Sequence, residues 1–307
     1  MRRLGLLALV AGCSYKVPPS PVAATTSWRV DRGALPDSSL RAYHTATLAM
    51  KEKQALRGGS KAVSRAPVSV YLFEHPTRGW FLIDAGFGRV TADDPEDYPG
   101  RFAAKLFDLG DVKPVVDALP DLQLGADDIE AVFLTHLHTD HAGGLADLPD
   151  AVVRAPQAEW TVASRKRGLK GYDPAPYAEH AFEALAFDDG PYGPFPAHDD
   201  VFGDGSLLAL AGSGHTPGHT VYLVNLPTGS FLLIGDAAWV DGGWVDGPRP
   251  KGWLPRKLLE DDWKQGLDVL WRVHWMSEQE GVTVISGHEA ANLRRLATWP
   301  EPMRPAP

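Results

Sequence analysis

Cysteine is almost absent from this chain: a single thiol, Cys13, in 307 residues. One thiol excludes an intrachain disulfide framework and any zinc cluster built from cysteines. Cations are in deficit too, with 30 Lys and Arg against 39 Asp and Glu and a formal net charge of -9. With no contiguous basic block to grip a phosphate backbone, no nucleic-acid partner is expected. The apolar run Leu4 to Val10 is far shorter than the roughly 20 residues a membrane-spanning helix needs. What remains is ordinary globular material, 44% hydrophobic and 22% charged, long enough for one large α/β domain or two small ones.

The N-terminus reads as an address. Arg2 and Arg3 precede the apolar run, and Val10-Ala11-Gly12-Cys13 follows it. This resembles a bacterial lipobox, in which small residues precede a Cys that is lipidated and becomes the new N-terminus. The resemblance implies a signal peptide over 1–12, a membrane anchor at Cys13, and a Pro-rich tether over 13–27 that contains Pro18, Pro19 and Pro21. Ser14 rather than Asp after the Cys implies the bacterial cell envelope, on the periplasmic face of the outer membrane. The other reading is an incidental or buried Cys after an uncleaved export signal.

The body alternates strands with loops and helices. Val68 to Phe73 and Trp80 to Ile83 flank the breaker His75 to Gly79 and predict a hairpin. Further strands are expected at Ala131–Leu134, Ala151–Val153, Ser206–Ala211, Thr220–Val224, Phe231–Ile234 and Val282–Ser286. A short helix is expected over Gln157–Ser164. Leu259, Trp263, Leu267, Leu270, Trp271 and His274 fall at helical spacing and predict one amphipathic helix over Leu258–Glu280. Two acidic, Pro/Gly-rich stretches, Thr91–Pro99 and Gly171–Asp204, interrupt the pattern, and the second reads as a surface insertion. There is no internal repeat and no second-domain boundary.

One segment concentrates chemistry. His136-Leu137-His138-Thr139-Asp140-His141 places three imidazoles and a carboxylate directly after an apolar strand. Neutral imidazole nitrogens and carboxylate oxygens are ligands for zinc, and a tight loop can aim His136 and His138 one way and Asp140 and His141 another. Three later segments each offer a ligand at a strand end: His215 in Gly214-His215-Thr216-Pro217-Gly218-His219, Asp236 in Ile234-Gly235-Asp236, and His288 in Ser286-Gly287-His288. His44, His75, His180, His198 and His274 have no such context.

These motifs, in this order from Val68 to Asn292, resemble the metallo-β-lactamase superfamily. The resemblance implies an α/β fold, an αββα sandwich over 28–300. It also implies two divalent metal ions, Zn or else Fe, Mn or Co. His136, His138 and His215 would hold one ion, Asp140, His141 and His288 the other, and Asp236 would bridge them. Asp84, in Leu82-Ile83-Asp84-Ala85-Gly86, would orient the His loop, and a turn-capping carboxylate is compatible with that role. His219 would stand behind the ligands.

The chemistry implied is hydrolysis by metal-activated water, with Asp140 passing a proton to the leaving group and Asp236 holding the ion pair. Val70 to Pro76, Leu134 to Gly144 and the Gly-His-Thr-Pro-Gly-His run look closest to the N-acyl homoserine lactonase branch, which implies a small-molecule lactone or ester as substrate. That branch commonly carries Tyr three residues after the bridging Asp. Trp239 stands there, with an indole donor but no phenol. Trp239, Trp244 and Trp253 would either line an acyl-chain pocket or pack their loop on the core. A thioesterase of glyoxalase II type and a metal-binding envelope lipoprotein without turnover are the alternatives.

Overall fold

Successive residues of a strand face opposite ways, and here both directions are apolar. A computed structural model describes residues 18–95, 108–165 and 170–305. The first sheet is ordered β1 (Ser39–Lys51), β2 (Val63–His75), β3 (Gly79–Ile83), β4 (Ile129–Phe133), β5 (Val152–Pro156), β6 (Phe182–Leu185). β1 to β3 pair antiparallel and β3 to β6 parallel. The second sheet comprises β7 (His198–Asp200), β8 (Leu207–Ala211), β9 (Thr220–Leu226), β10 (Gly229–Leu233) and β11 (Val282–Ile285), with β11 parallel to β10 at one edge and β7 at the other.

Parity assigns the layers. Tyr71 and Phe73 of β2 and Phe81 and Ile83 of β3 meet Leu207 and Ala209 of β8, Tyr222 and Val224 of β9, and Phe231 and Leu233 of β10 between the sheets. The alternate residues Val70, Leu72, Leu82 and Val132 face outward and are covered by Val115, Leu119, Leu145 and Ala163. On the other side Leu208, Leu210, Leu223 and Leu232 pack on the helix Trp263–Ser277 through Leu267, Leu270, Val273 and Met276. The result is the αββα sandwich the resemblance implied. Burying about 25 cal/mol for each Å² of apolar surface on both faces of both sheets is what closes the sandwich.

One element is new and two expectations are corrected. The 13-residue strand β1 was not expected at all. The stretch Gly171–Asp204 is no surface insertion: it supplies β6 and β7, an edge strand to each sheet, and buries Tyr172, Tyr177 and Phe195. The helix expected over Leu258–Glu280 is present but starts later, as Trp263–Ser277, and Leu258 instead closes a separate short helix, Trp253–Leu258. The chain breaks at Asp262, whose carboxylate accepts the N–H groups of Lys264 and Gln265 and so caps the second helix.

The signal over 1–12, Cys13 and the tether up to residue 17 lie outside the described residues, as does 96–99 of the first acidic stretch. The described part of the tether is mostly exposed, with the Pro18 carbonyl accepting from Trp271 Nε1 at 2.9 Å. Among the described residues no helix is long and apolar enough to cross a membrane.

Candidate metal centre

The chain turns toward one end of the sandwich after β3, β4, β8, β10 and β11, and each of these turns carries a candidate residue: Asp84, His136 to His141, His215, Asp236 and His288. The two sheets are stitched together there. Thr220 N donates to Thr135 O (2.8 Å), and Tyr222 OH donates to Leu134 O (3.0 Å). The turn after β10 needs Gly235. Its φ is +46°, and a Cβ on it would lie 2.8 Å from Thr135 Cβ. Asp84 adopts a left-handed conformation with φ 59°, tolerable for Asp. The short helix Thr139–Ala142 starts directly after His138, which places Asp140 and His141 in its first turn.

The side chains form two groups. His136, His138, His215 and Asp236 converge, and Asp140, His141 and His288 converge beside them. In the first group His136 Nε2 is 3.0 Å and His215 Nε2 is 3.2 Å from His138 Nδ1, and Asp236 Oδ2 is 3.3 Å from His215 Nε2. Ligands about 2.0–2.1 Å from a tetrahedral zinc lie about 3.3 Å apart, so these spacings suit one ion. In the second group the separations run from 3.4 Å (His288 Nε2 to Asp140 Oδ2) to 3.7 Å (His141 Nε2 to Asp140 Oδ2). Asp236 belongs to both groups. Its Oδ1 is 3.2 Å from His288 Nε2 and 3.5 Å from His141 Nε2, while its Oδ2 faces His215. Asp236 Oδ1 and His141 Nε2 are buried without a hydrogen-bond partner. Buried polar atoms need partners, and a cation between the groups would supply one.

Further side chains hold the ligands. Asp84 Oδ2 accepts from His141 Nδ1 at 2.8 Å, and its Oδ1 accepts from Thr135 N at 2.8 Å. The Thr135 hydroxyl donates to Asp84 and lies 3.1 Å from His136 Nδ1. His288 Nδ1 donates to Pro67 O at 2.9 Å. In each case fixing Nδ1 leaves Nε2 for the metal. His138 is reversed, presenting Nδ1. His219 lies outside both groups, with Nδ1 on Gly212 O at 3.2 Å and its ring 5.5 Å from that of His136. Trp239 is buried, and its indole N–H donates to Asp236 Oδ2 at 2.5 Å, so it works on the carboxylate beside it. Trp244 is buried as well, whereas Trp253 is 65% exposed, so the three indoles form no common pocket. His44, His75, His180, His198 and His274 bond elsewhere, to Ser69, Asp204, Leu148 O, Gly190 O and Glu278.

Two supports had no signal in the sequence. Glu159, fully buried, accepts from Leu137 N and from Gly218 N, both at 3.0 Å, and from Tyr172 OH at 3.2 Å. One carboxyl thus ties the loop between His136 and His138 to the loop that carries His215. Lys251, also buried, donates to Asp236 O at 2.6 Å and to Glu260 Oε1 at 2.8 Å, with Nζ 3.5 Å from His215 Nδ1. A lone Glu in a short helix and a lone Lys in a Gly/Pro-rich loop match no spacing rule.

Electrostatics separate the groups. Burial pushes the imidazoles of His136 and His215 well below their ordinary value and that of His138 to about 4, so all three are neutral and able to ligate. Burial acts the same way on His288, but Asp236 and Asp140 outweigh it and raise it to about 10. His141 is raised by Asp84 and Asp140 against burial. For Asp236, burial is overcome by His288, His141 and His215, which hold the carboxyl well below the carboxylate range.

Comparison with known proteins shows the family. The family described as the Metallo-beta-lactamase superfamily matches residues 63–288. The N-acyl homoserine lactonase AttM of Rhizobium johnstonii is 28% identical over 249 residues, covering 79% of this chain and 89% of that protein. A hydroxyacylglutathione hydrolase 2 of Vibrio vulnificus is 34% identical over 122 residues, only 38% of this chain and 37% of that one. A structure of Bacillus thuringiensis AiiA, a variant with N-decanoyl-L-homoserine bound at the active site, superposes with a TM-score of 0.72 at 19% identity, covering 88% of this chain and all of that one. The chain belongs to the metallo-beta-lactamase superfamily.

Proposed function

We propose that this metal-dependent hydrolase opens small-molecule lactones or esters, N-acyl homoserine lactones among them, with a divalent ion in each ligand group and zinc as the ion. The observation that carries the reading is the Asp236 carboxylate, which turns one oxygen to His215 and the other to His141 and His288. Two ions held there would supply an activated water and a Lewis acid for the scissile carbonyl.

The chain's own residues set the direction of approach. Asp140 is the open point of the centre: its side chain is 18% exposed, while the other six ligands are at most 5% exposed. A substrate reaching the centre therefore passes Asp140. Burial would raise its pKa, but His141 and His288 hold it below the ordinary value, so it stands ionised at neutral pH with an oxygen open to a proton. It is the group placed to take a proton from the attacking water and return it to the leaving alkoxide. Asp236 keeps the two groups at a fixed span, steadied by Trp239 Nε1 at Oδ2 and by Lys251 at its backbone oxygen. The matched length of the AttM lactonase supports a lactone substrate.

A thioester substrate is the second reading, favoured by the likeness to the hydroxyacylglutathione hydrolase over 122 residues. The test is a panel of N-acyl homoserine lactones, aryl esters and acyl thioesters against zinc-reconstituted protein, read as proton release. Ring opening or ester cleavage that disappears on chelation is expected. A protein that holds two ions per chain yet turns over none of the panel would point to metal-dependent binding without catalysis.

A further inference from the structure

The chain is acidic, yet its fold gathers cations at one place. Segments 51–65 and 245–258 hold nine of the 30 Lys and Arg but only two of the 39 Asp and Glu, namely Glu52 and Asp246. The linear sequence separates these segments by about 180 residues, which is why no basic block is visible in it. The structure joins them. Gly252 N donates to Gln54 O (2.9 Å), Arg57 N donates to Pro250 O (2.8 Å), and Arg249 Nη2 donates to Arg57 O (2.9 Å). Three acids follow: Glu260 pairs with the buried Lys251 at 2.8 Å, which takes that one cation out of the surface set, while Asp261 lies 3.9 Å from Lys170 and Asp262 accepts the N–H groups of Lys264 and Gln265.

The same end carries exposed apolar surface. Six large hydrophobic side chains are exposed among the described residues, and all but Val90 belong to these two segments: Val63, Val245, Trp253, Leu254 and Leu258. The helix Trp253–Leu258 explains the arrangement. Pro255 is buried and Leu259, just past the helix, packs inward beside Met50, Ala55 and Trp239. Residues 253, 254, 257 and 258 therefore share the opposite, outward face. Trp253 is 65% exposed, with the Lys257 ammonium 5.4 Å from its ring. An outward turn with Trp and two Leu, ringed by Lys and Arg, is the composition of a surface helix that lies in a membrane interface. An exposed apolar patch of this kind marks an interaction site.

We propose that this end of the molecule docks on an anionic lipid bilayer, with Trp253, Leu254 and Leu258 seated at headgroup depth and the surrounding Lys and Arg on the lipid phosphates. Charge complementarity selects the occupant: the patch is basic on an otherwise acidic molecule, so anionic lipid attracts it while the remaining surface is repelled and turned away. The docked segment also reaches the metal centre, because Lys251 within it bonds Asp236 O. Docking would bring the hydrolytic site to the interface in which acylated substrates dissolve. The docking itself is independent of any lipid on Cys13, and only its consequence for acylated substrates rests on the function proposed above.

The test uses the full chain as zinc-loaded Cys13→Ser protein, so that no acyl anchor contributes. Co-sedimentation is measured with vesicles of phosphatidylcholine alone and of equal parts phosphatidylcholine and phosphatidylglycerol. Binding to the mixed vesicles is expected to exceed binding to pure phosphatidylcholine by at least about tenfold and to fall in high salt. Lys257→Glu should lower it by about tenfold or more. The Trp253→Ser/Leu254→Ser/Leu258→Ser variant should abolish it with melting temperature and zinc content unchanged, and Val90→Ser should have no effect. No binding by the parent, equal binding to both vesicle types, or binding that survives the triple change overturns the proposal. So does a parent that ignores vesicles but is a dimer made monomeric by the triple change, since the occupant would then be a second copy of the chain.

Discussion

The two ligand groups share Asp236 yet are built differently. The group of His136, His138 and His215 is closed, with nitrogens 3.0 and 3.2 Å apart. Its three imidazoles are neutral, and its loops are tied together by Glu159. The group of Asp140, His141 and His288 is wider, at 3.4 to 3.7 Å around Asp140. It opens to solvent at Asp140 and is backed by the acceptors Asp84 and Pro67 O. The contrast teaches a division of labour. The closed group is preorganised and should hold its ion tightly, while the open group, whose histidines must shed protons to ligate, should exchange its ion and meet the substrate.

The largest effect should follow from removing what the groups share. Asp236→Ala should abolish turnover and lower the metal content of both groups, read by elemental analysis beside lactone hydrolysis. Asp84→Ala should divide them. It frees His141 Nδ1 directly and reaches the closed group only through Thr135 beside His136, so metal affinity of the open group should fall the more, by about 10–100-fold, and stoichiometry should drop toward one ion per chain. Equal loss from both groups in that variant would erase the distinction.

Glu159→Ala acts on the closed side. It leaves Leu137 N and Gly218 N buried without an acceptor, at a cost of about 1–3 kcal/mol for each group so stranded. Thermal denaturation of the zinc-loaded protein should show it as a lower Tm, with Glu159→Gln milder because the amide oxygen still accepts one of the two.

The smallest effect is a pH signature of the metal-free protein. His138 and His219 lie at about 4 and about 3 in the fold against an ordinary 6.5. The unfolded chain therefore binds protons first, and stability falls as pH drops below 6.5. His288 lies at about 10. Its contribution is complete below 6.5 and is lost as pH rises through 10. The Tm of chelated protein should peak near the ordinary histidine value, and zinc should flatten the alkaline arm because a ligating His288 carries no proton on Nε2. A chelated protein whose Tm rises steadily from pH 6 to pH 9, a range bracketing that value, would contradict the assignment.

What the sequence made legible was local. Each ligand directly follows an apolar strand, so motif and strand could be read together, and the hairpin around His75 to Gly79 and strands β8 to β11 were visible for the same reason. What stayed hidden depends on distant partners. β1 reads Ser-Leu-Arg-Ala-Tyr-His-Thr-Ala-Thr-Leu-Ala-Met-Lys, alanine-rich and interrupted by Arg41 and His44, and becomes a strand by pairing with β2. β6 and β7 are four and three residues long and lie at sheet edges, too short to show a strand period. Glu159 and Lys251 gain their roles only when the fold brings backbone N–H groups and a carbonyl to them. The gathered basic face shows the same limit, since its two halves meet only in three dimensions.

Metal stoichiometry of the wild type and of Asp236→Ala, purified in parallel and loaded with zinc, tests the central claim most directly. A bridging carboxylate predicts two ions per chain in the first and fewer than one in the second, with hydrolysis lost alongside. An Asp236→Ala protein that retains two ions and full turnover would show that the two groups do not depend on this side chain.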